Sequence, residues 1–517
     1  MCASPKAREP FRPCPPAPAR ASVPAMTGSR TSTRSYLASL CLASCTLLAT
    51  LPGCSSTSSG GAASGPAADV AEELTAGGGP FIGESSPSNL DAAGFVQHEY
   101  VAAGTAVSYR ATEPLTADGR WSFAEDLSAP YRTRILVRRP ADVARFSGTV
   151  VVEWLNVSGG LDGNPDWTSL AAEITRRGHA WVGVSAQLIG VSGGPVLVVA
   201  PGAEGIAGKG LTGLNPARYA SLEHPGDGFS FDIYTQVARA LRAPTDALGG
   251  VAAKRILAAG ESQSAIALTT YYDGVQPLTG AFDGFLVHSR ASVGLPLVGP
   301  GEYADLARGF ASVPTILRED GDVPALEIQA EGDVTSVLNS VVVRQPDSDV
   351  FRLWEVAGTS HADRFILGPL ADSTPCITPV NEAPMHVVVK AAFRQLEEWV
   401  RTGEAPPEAE RITTTGSPAA IVRDADGIAL GGIRTPPVDV PSEVLSGVPG
   451  PNPDLFCILL GSTTPLSEAR LAELYSGPVD YLRRYDAAAD TAITSGFVLE
   501  EDRATLRTYA QPERIPG

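Results

Sequence analysis

Cysteine is nearly absent from the body of this 517-residue chain: beyond residue 54 only Cys376 and Cys457 remain. The paired Cys-x-x-Cys spacings of structural zinc sites are therefore missing, and so is any His-Glu-x-x-His run, so no metal is expected. The glycine-rich "GIAGKGLTG" lacks the Gly-Lys-Ser/Thr spacing of a phosphate loop, and no dinucleotide fingerprint follows an early strand. No cofactor is expected either. Positive charge is also scarce, with 39 Lys and Arg against 57 Asp and Glu and a net charge of -18. Such an acidic balance argues against nucleic acid or anionic lipid headgroups as partners. The apolar run at residues 36–51 falls short of the roughly 20 residues a membrane-spanning helix needs. What is present is a globular composition, 19% charged and 44% hydrophobic. The length permits two or three domains, or one large α/β domain with insertions.

The first seventy residues read as an address. Residues 1–54 carry a local excess of five positive charges, and Arg30 and Arg34 precede the apolar run. It ends at Leu51-Pro52-Gly53-Cys54, which resembles a bacterial lipobox, with Cys54 as the residue to be lipidated. Met26 lies just before the basic stretch, so residues 1–25 read as an over-extended start and 26–54 as a signal peptide. Residues 55–70, rich in Ser, Gly and Ala, read as a flexible tether. The expected destination is outside the cytoplasm, as a cell-surface lipoprotein or a secreted protein. In that setting Cys376 and Cys457 are expected to form one disulfide.

The body, residues 71–517, alternates strand-like and helix-like segments from about residue 147. Short apolar runs at 149–156, 179–187, 255–261, 282–289, 325–333 and 351–361 have the continuous hydrophobicity of strands buried on both faces. Helical patterns lie between several of them, and "HVVVKAAFRQLEEWVRTG" forms a strong amphipathic helix ending at Gly403. Upstream, "GFVQHEYVAAGTAVSYRA" and "PYRTRILVRRP" read as antiparallel strands. The pattern predicts a mostly parallel central sheet covered by helices. Two lid-like insertions, 187–228 and 290–324, and a helical C-terminal extension complete the expected domain.

The chemistry concentrates in "RILAAGESQSAIALTTYY". An apolar strand runs into Gly-Glu-Ser-Gln-Ser and leaves as a helix, the layout of a nucleophile elbow that lifts the Ser262 hydroxyl clear of a parallel sheet. Ser264 stands where the usual pattern has a second glycine. "GVSGG" at 190–194 matches the letters better, but no helix follows it to receive the turn. The expected order of a serine hydrolase is Ser, acid, His. His361, in "AGTSHAD" after a strand, is the expected base. The acid is Asp333 by strand layout, with Glu331 two residues away as the alternative. Asp363 is too close to His361 in sequence to reach its far nitrogen. His98, His179, His224 and His386 lack a matching context, and His288 reads as structural or pocket-lining. Oxyanion donors are expected from the backbone N–H of Gln263 and from Asn156, Val157 or Ser158.

Together "YRTRILVRRP", "GTVVVEWLNVSGG", "PDW", "AAGESQSA", "AGTSHAD" and "CILLGSTTPLSEARL" resemble a bacterial family of exported α/β-hydrolases with a Gly-Glu-Ser-Gln-Ser elbow. The resemblance spans about residues 90–510. It implies the alpha/beta-hydrolase fold and serine-dependent hydrolysis of a small-molecule carboxylic ester through Ser262 and His361, without a cofactor. It leaves Asp333 and Glu331 both open. Acyl transfer or peptide hydrolysis on the same triad, or ligand binding without turnover, are the alternative readings.

Overall fold

The computed structural model describes residues 65–85, 88–449 and 454–517. The segments read as an over-extended start and a signal peptide, the expected lipidation site Cys54 and most of the expected tether lie outside the described residues. The tether's end is packed from Ala68 onward: Ala68 and Val70 are buried, and Asp69 pairs with Ala103. Hydrophobic contact there wins over the local Ser/Gly/Ala bias, so the flexible reading extends too far.

Eight strands form the central sheet: β1 (Phe95–Ala111), β2 (Phe123–Pro140), β3 (Thr149–Trp154), β4 (Ala180–Val184), β5 (Arg255–Glu261), β6 (Gly284–His288), β7 (Ala325–Ala330) and β8 (Phe351–Val356). Their spatial order is β1-β2-β4-β3-β5-β6-β7-β8. β1, β2 and β4 pair antiparallel, and every pairing from β4 through β8 is parallel. β3, β4, β6 and β7 are buried at every position. Side chains alternate between two apolar layers, as the two-residue period of a strand demands. Ile256, Ala258, Phe285 and Val287 join Trp154 and Tyr234 on one face. Leu257, Ala259, Leu286 and Ile328 join Trp181, Phe393 and Leu396 on the other.

The covering helices start and stop where their chemistry directs. Pro165–Arg177 opens on proline, which supplies a helical φ and no orphan N–H, and Gly178 closes it at φ 67°. Met385–Thr402 ends against Gly403 at φ 81°. Because β3 and β5 to β8 run parallel, their C-terminal ends share one rim, where the connecting loops gather.

Five strands stop earlier than their apolar runs, β4 at Val184 and β6 at His288 among them. β3 ends at Trp154. β7 ends at Ala330, because Glu331–Thr335 turns into a short helix whose Asp333 carboxylate accepts from the Ala330 N–H at 2.7 Å. β8 ends at Val356, followed by a turn with Gly358 at φ 76°. The insertions are not bare loops: the first carries helices Leu188–Ser192, Gly210–Leu214 and Pro216–Tyr219, and the second Leu306–Phe310. The C-terminal extension holds a hairpin (Glu443–Ser446 with Ser462–Pro465) and helices including Pro478–Thr494. Cys376 and Cys457 form a disulfide across 81 residues, a closure worth about 2–4 kcal/mol.

Candidate active site

Ser262 follows β5 directly and caps helix Gln263–Thr270, with φ 59° and ψ -119°. A serine there is held in a conformation costing about 1–3 kcal/mol. Neighbouring contacts impose it: the Ser262 N–H donates to the His288 carbonyl at 2.9 Å, and the helix begins at the next residue. A Cβ at Gly260 would sit 3.0 Å from the Ser264 backbone, so the strand must give up its side chain for the turn to close. Ser264 is fully buried, which the pattern's usual glycine would also satisfy. Ser192, in the competing "GVSGG", is exposed at the end of its short helix and has no such geometry.

The Ser262 Oγ lies 2.8 Å from His361 Nε2, and His361 Nδ1 lies 2.7 Å from Asp333 Oδ1. A carboxylate can only accept, so Nδ1 carries a proton, and in the neutral imidazole Nε2 is left free to accept from the serine hydroxyl. Asp333 is fully buried, and its second oxygen is taken by the Ala330 N–H. Glu331 faces elsewhere. It accepts from the Gly358 N–H at 2.7 Å, the Gly447 N–H at 3.1 Å and the Arg423 guanidinium at 2.6 Å. The two candidate acids, two residues apart on a tight turn, thus project to different sides. Asp363 caps the helix Arg364–Leu367 through the Ile366 N–H, and burial pushes its carboxyl up to about 6.

The other histidines sit in structural contacts. His98 bonds Glu73, His179 bonds Ser147, His224 bonds the Ala186 carbonyl, and His386 stacks on Phe365. His288 is buried against Asp166 at 2.9 Å and is absent from the cavity lining.

Sequence reasoning passed over Glu261, the residue before the nucleophile. Its Oε1 lies 3.4 Å from His361 Nε2, while Asn156 Nδ2 donates to its backbone carbonyl at 3.0 Å. A carboxylate between an apolar strand and the nucleophile was the available signal. Burial pushes the Glu261 carboxyl up to about 7, against the opposing pull of His361 and His288. Burial disfavours the His361 imidazolium, yet Asp333 and Glu261 outweigh it and carry the imidazole up to about 9.

Of the expected oxyanion donors, the Gln263 N–H stands at the first position of its helix, where no intrahelical acceptor exists. The Asn156 N–H is spent on the Gly163 carbonyl and the Ser158 N–H on Asn156 Oδ1. The Val157 N–H donates to the side chain Oε1 of Gln263 at 3.3 Å. That bond is the longest of the three, and its acceptor is a side-chain amide whose Nε2 donates to Gln187 Oε1 at 2.5 Å.

Above these groups opens a cavity of about 600 Å³. Ser262, His361, Asn156 and Glu261 form its polar floor, and apolar side chains from both insertions form its walls, including Leu197, Ile206, Leu306 and Phe310. Leu455, Phe456, Leu459 and Leu460 of the C-terminal extension close it, a contribution that no motif announced. Among the described residues no Lys or Arg lines it.

A serine on a strained strand-to-helix turn, a histidine and an acid at one rim of a mostly parallel sheet define the α/β-hydrolase class. Residues 63–508 match the family model described as alpha/beta hydrolase domain, and the chain belongs to that family. No curated protein matches it. Among solved structures, it is similar to a fungal esterase from Rhizomucor miehei at 12% identity and TM-score 0.28, over 58% of this chain and 86% of that one. A serine hydrolase without lid from Xanthomonas campestris shares 14% identity at TM-score 0.27, over 56% and 94%. A thermostable esterase from Pseudomonas putida shares 14% at TM-score 0.27, over 57% and 83%.

Proposed function

We propose that the protein is an exported serine hydrolase of carboxylic esters, with Ser262 as nucleophile, His361 as base and acid, and Asp333 as the group that orients the imidazole. The observation that carries this reading is the continuous file of Ser262 Oγ, His361 and Asp333 at 2.8 and 2.7 Å on the floor of an apolar cavity. In the first half-reaction His361 Nε2 takes the hydroxyl proton as Ser262 Oγ bonds the ester carbonyl carbon. The resulting oxyanion is met by the Gln263 N–H and by the Val157 N–H once the Gln263 amide turns away. Collapse breaks the bond to the alkoxy oxygen, which leaves as alcohol with the proton from His361. Water then gives a proton to His361 and attacks the acyl-serine, and the carboxylic acid departs as Ser262 regains its hydrogen. The leader and the Cys376–Cys457 disulfide support export.

One experiment addresses both halves of the proposal. A fluorophosphonate that does not cross the inner membrane, applied to intact cells, is expected to attach to Ser262, identified by peptide mass. Labelling only after lysis would reject export, and no labelling of folded protein would reject the nucleophile.

The charge around His361 makes a further prediction. Only neutral imidazole accepts the serine proton, so kcat/KM is expected to rise with pH until about 9, where His361 is deprotonated. Glu261 is a negative neighbour that favours the imidazolium; removing its charge lowers the histidine's affinity for the proton. In Glu261→Gln the rising limb is therefore expected to move to lower pH, by about one unit. A limb that stays in place, measured with one ester across pH 5–10, would show that Glu261 does not act on His361.

A further inference from the structure

The disulfide does not lie in the sheet. Cys457 is buried within Leu455–Leu459, a five-residue helix on the loop between the two strands of the C-terminal hairpin. A helix that short has no stability of its own in water. Three contacts hold it in place: the bond to Cys376, the Leu459 carbonyl accepting from the Ala362 N–H at 3.0 Å, and the Leu460 carbonyl accepting from the Asn381 N–H at 3.0 Å. Ala362 is the residue after His361. Asn381 in turn donates to the Gly358 carbonyl at 2.8 Å, on the same turn. Phe456 and Cys376 pack with Leu367, Ala371 and Val380. The tethered helix therefore stands beside the histidine turn and presents Leu455, Phe456 and Leu459 to the cavity that holds Ser262.

We propose that this disulfide-held helix is a specificity wall that receives the larger apolar arm of a neutral ester. The proposal rests on the ester-hydrolase reading for the identity of the substrate. Neutrality follows from the lining: it holds no Lys or Arg, Glu84 is occupied by Arg138, and the only cationic group, His361, sits on the floor already paired with Asp333, so an anionic arm at the wall would meet no counter-charge. The wall binds a long arm by excluding water from it, and a short arm does not reach it. A wall freed from its tether keeps the floor residues but loses the fixed apolar surface.

The test compares the full-length oxidised protein with Cys376→Ser/Cys457→Ser and with Phe456→Ala, which keeps the disulfide. Each is assayed on p-nitrophenyl acetate and octanoate and on ethyl and octyl acetate. In both variants the long-to-short ratio of kcat/KM is expected to fall about tenfold in one of the two pairs, carried by KM for the long ester. Long and short esters falling in parallel in both pairs would make the tether merely structural and overturn the proposal, as would unchanged ratios. Calorimetric binding of 2-decanone, a neutral ketone with one long arm, reads the wall without turnover, and its Kd is expected to weaken about tenfold in both variants. A wild type that binds the ketone but hydrolyses none of the esters would sink the hydrolase reading alone, whereas a ketone Kd unchanged in both variants would sink the wall.

Discussion

Ser262→Ala is expected to reduce kcat/KM for p-nitrophenyl butyrate by at least about 10⁴-fold, with the fold retained. The size follows from what the hydroxyl does. Without Oγ there is no acyl-enzyme, and direct attack by water has neither a positioned nucleophile nor a covalent intermediate, a loss of about 5 kcal/mol of barrier lowering or more. The residue remains at φ 59° in either version, so the backbone strain is shared by wild type and variant. The hydroxyl bonds His361, and no other partner loses a contact when it goes. Thermal unfolding should therefore move little while turnover collapses. Hydrolysis within tenfold of wild type by a folded Ser262→Ala protein would mean that the ester is cleaved elsewhere.

How much of this was readable in the chain depends on the range of the forces involved. The parallel sheet was legible because strands buried on both faces have no polar side to disguise them, as β3 and β6 illustrate. The elbow was legible because a strand, one strained residue and a helix follow one another within the 16 positions from Arg255 to Thr270. The strand ends were not, since hydrogen bonds to side chains decide them: the Asp333 carboxylate on the Ala330 N–H stops β7 where the apolar run alone would continue. The direction of two carboxylates on one turn was likewise hidden. It is set by Arg423, 92 residues downstream of Glu331, and by Gly447, whose backbone approaches Gly332 so closely that neither position has room for a Cβ. The cavity wall at 455–460 was out of reach for the same reason: it arrives from a segment nearly two hundred residues after the nucleophile. Glu261 was in plain view inside the motif, but its role depends on the distance to His361, which a motif does not encode.

The two carboxylates that the sequence left open are separable by experiment, because they fail in different ways. In Asp333→Asn the side-chain amide keeps the shape of the carboxylate but can present an N–H toward His361 Nδ1. The imidazole then carries its proton on Nε2, the atom that must accept from Ser262, and kcat is expected to fall about 10⁴-fold with the fold intact. In Glu331→Gln the histidine keeps its partner at 2.7 Å, so turnover at a temperature where the protein is folded should stay within a few-fold of wild type. What that variant loses is charge against Arg423 and a good acceptor for the Gly358 and Gly447 N–H groups, all in a buried setting. A charged hydrogen-bonding group removed from such a place costs about 1–3 kcal/mol, read as a lower melting temperature. On the proposed reading Glu331 works on the protein's stability, holding the histidine turn and the C-terminal hairpin to the end of β7, whereas Asp333 works on the proton. Paired measurements of kcat and melting temperature on both variants distinguish these roles, and the reverse pattern, with Glu331→Gln inactive but stable and Asp333→Asn active but unstable, would exchange them.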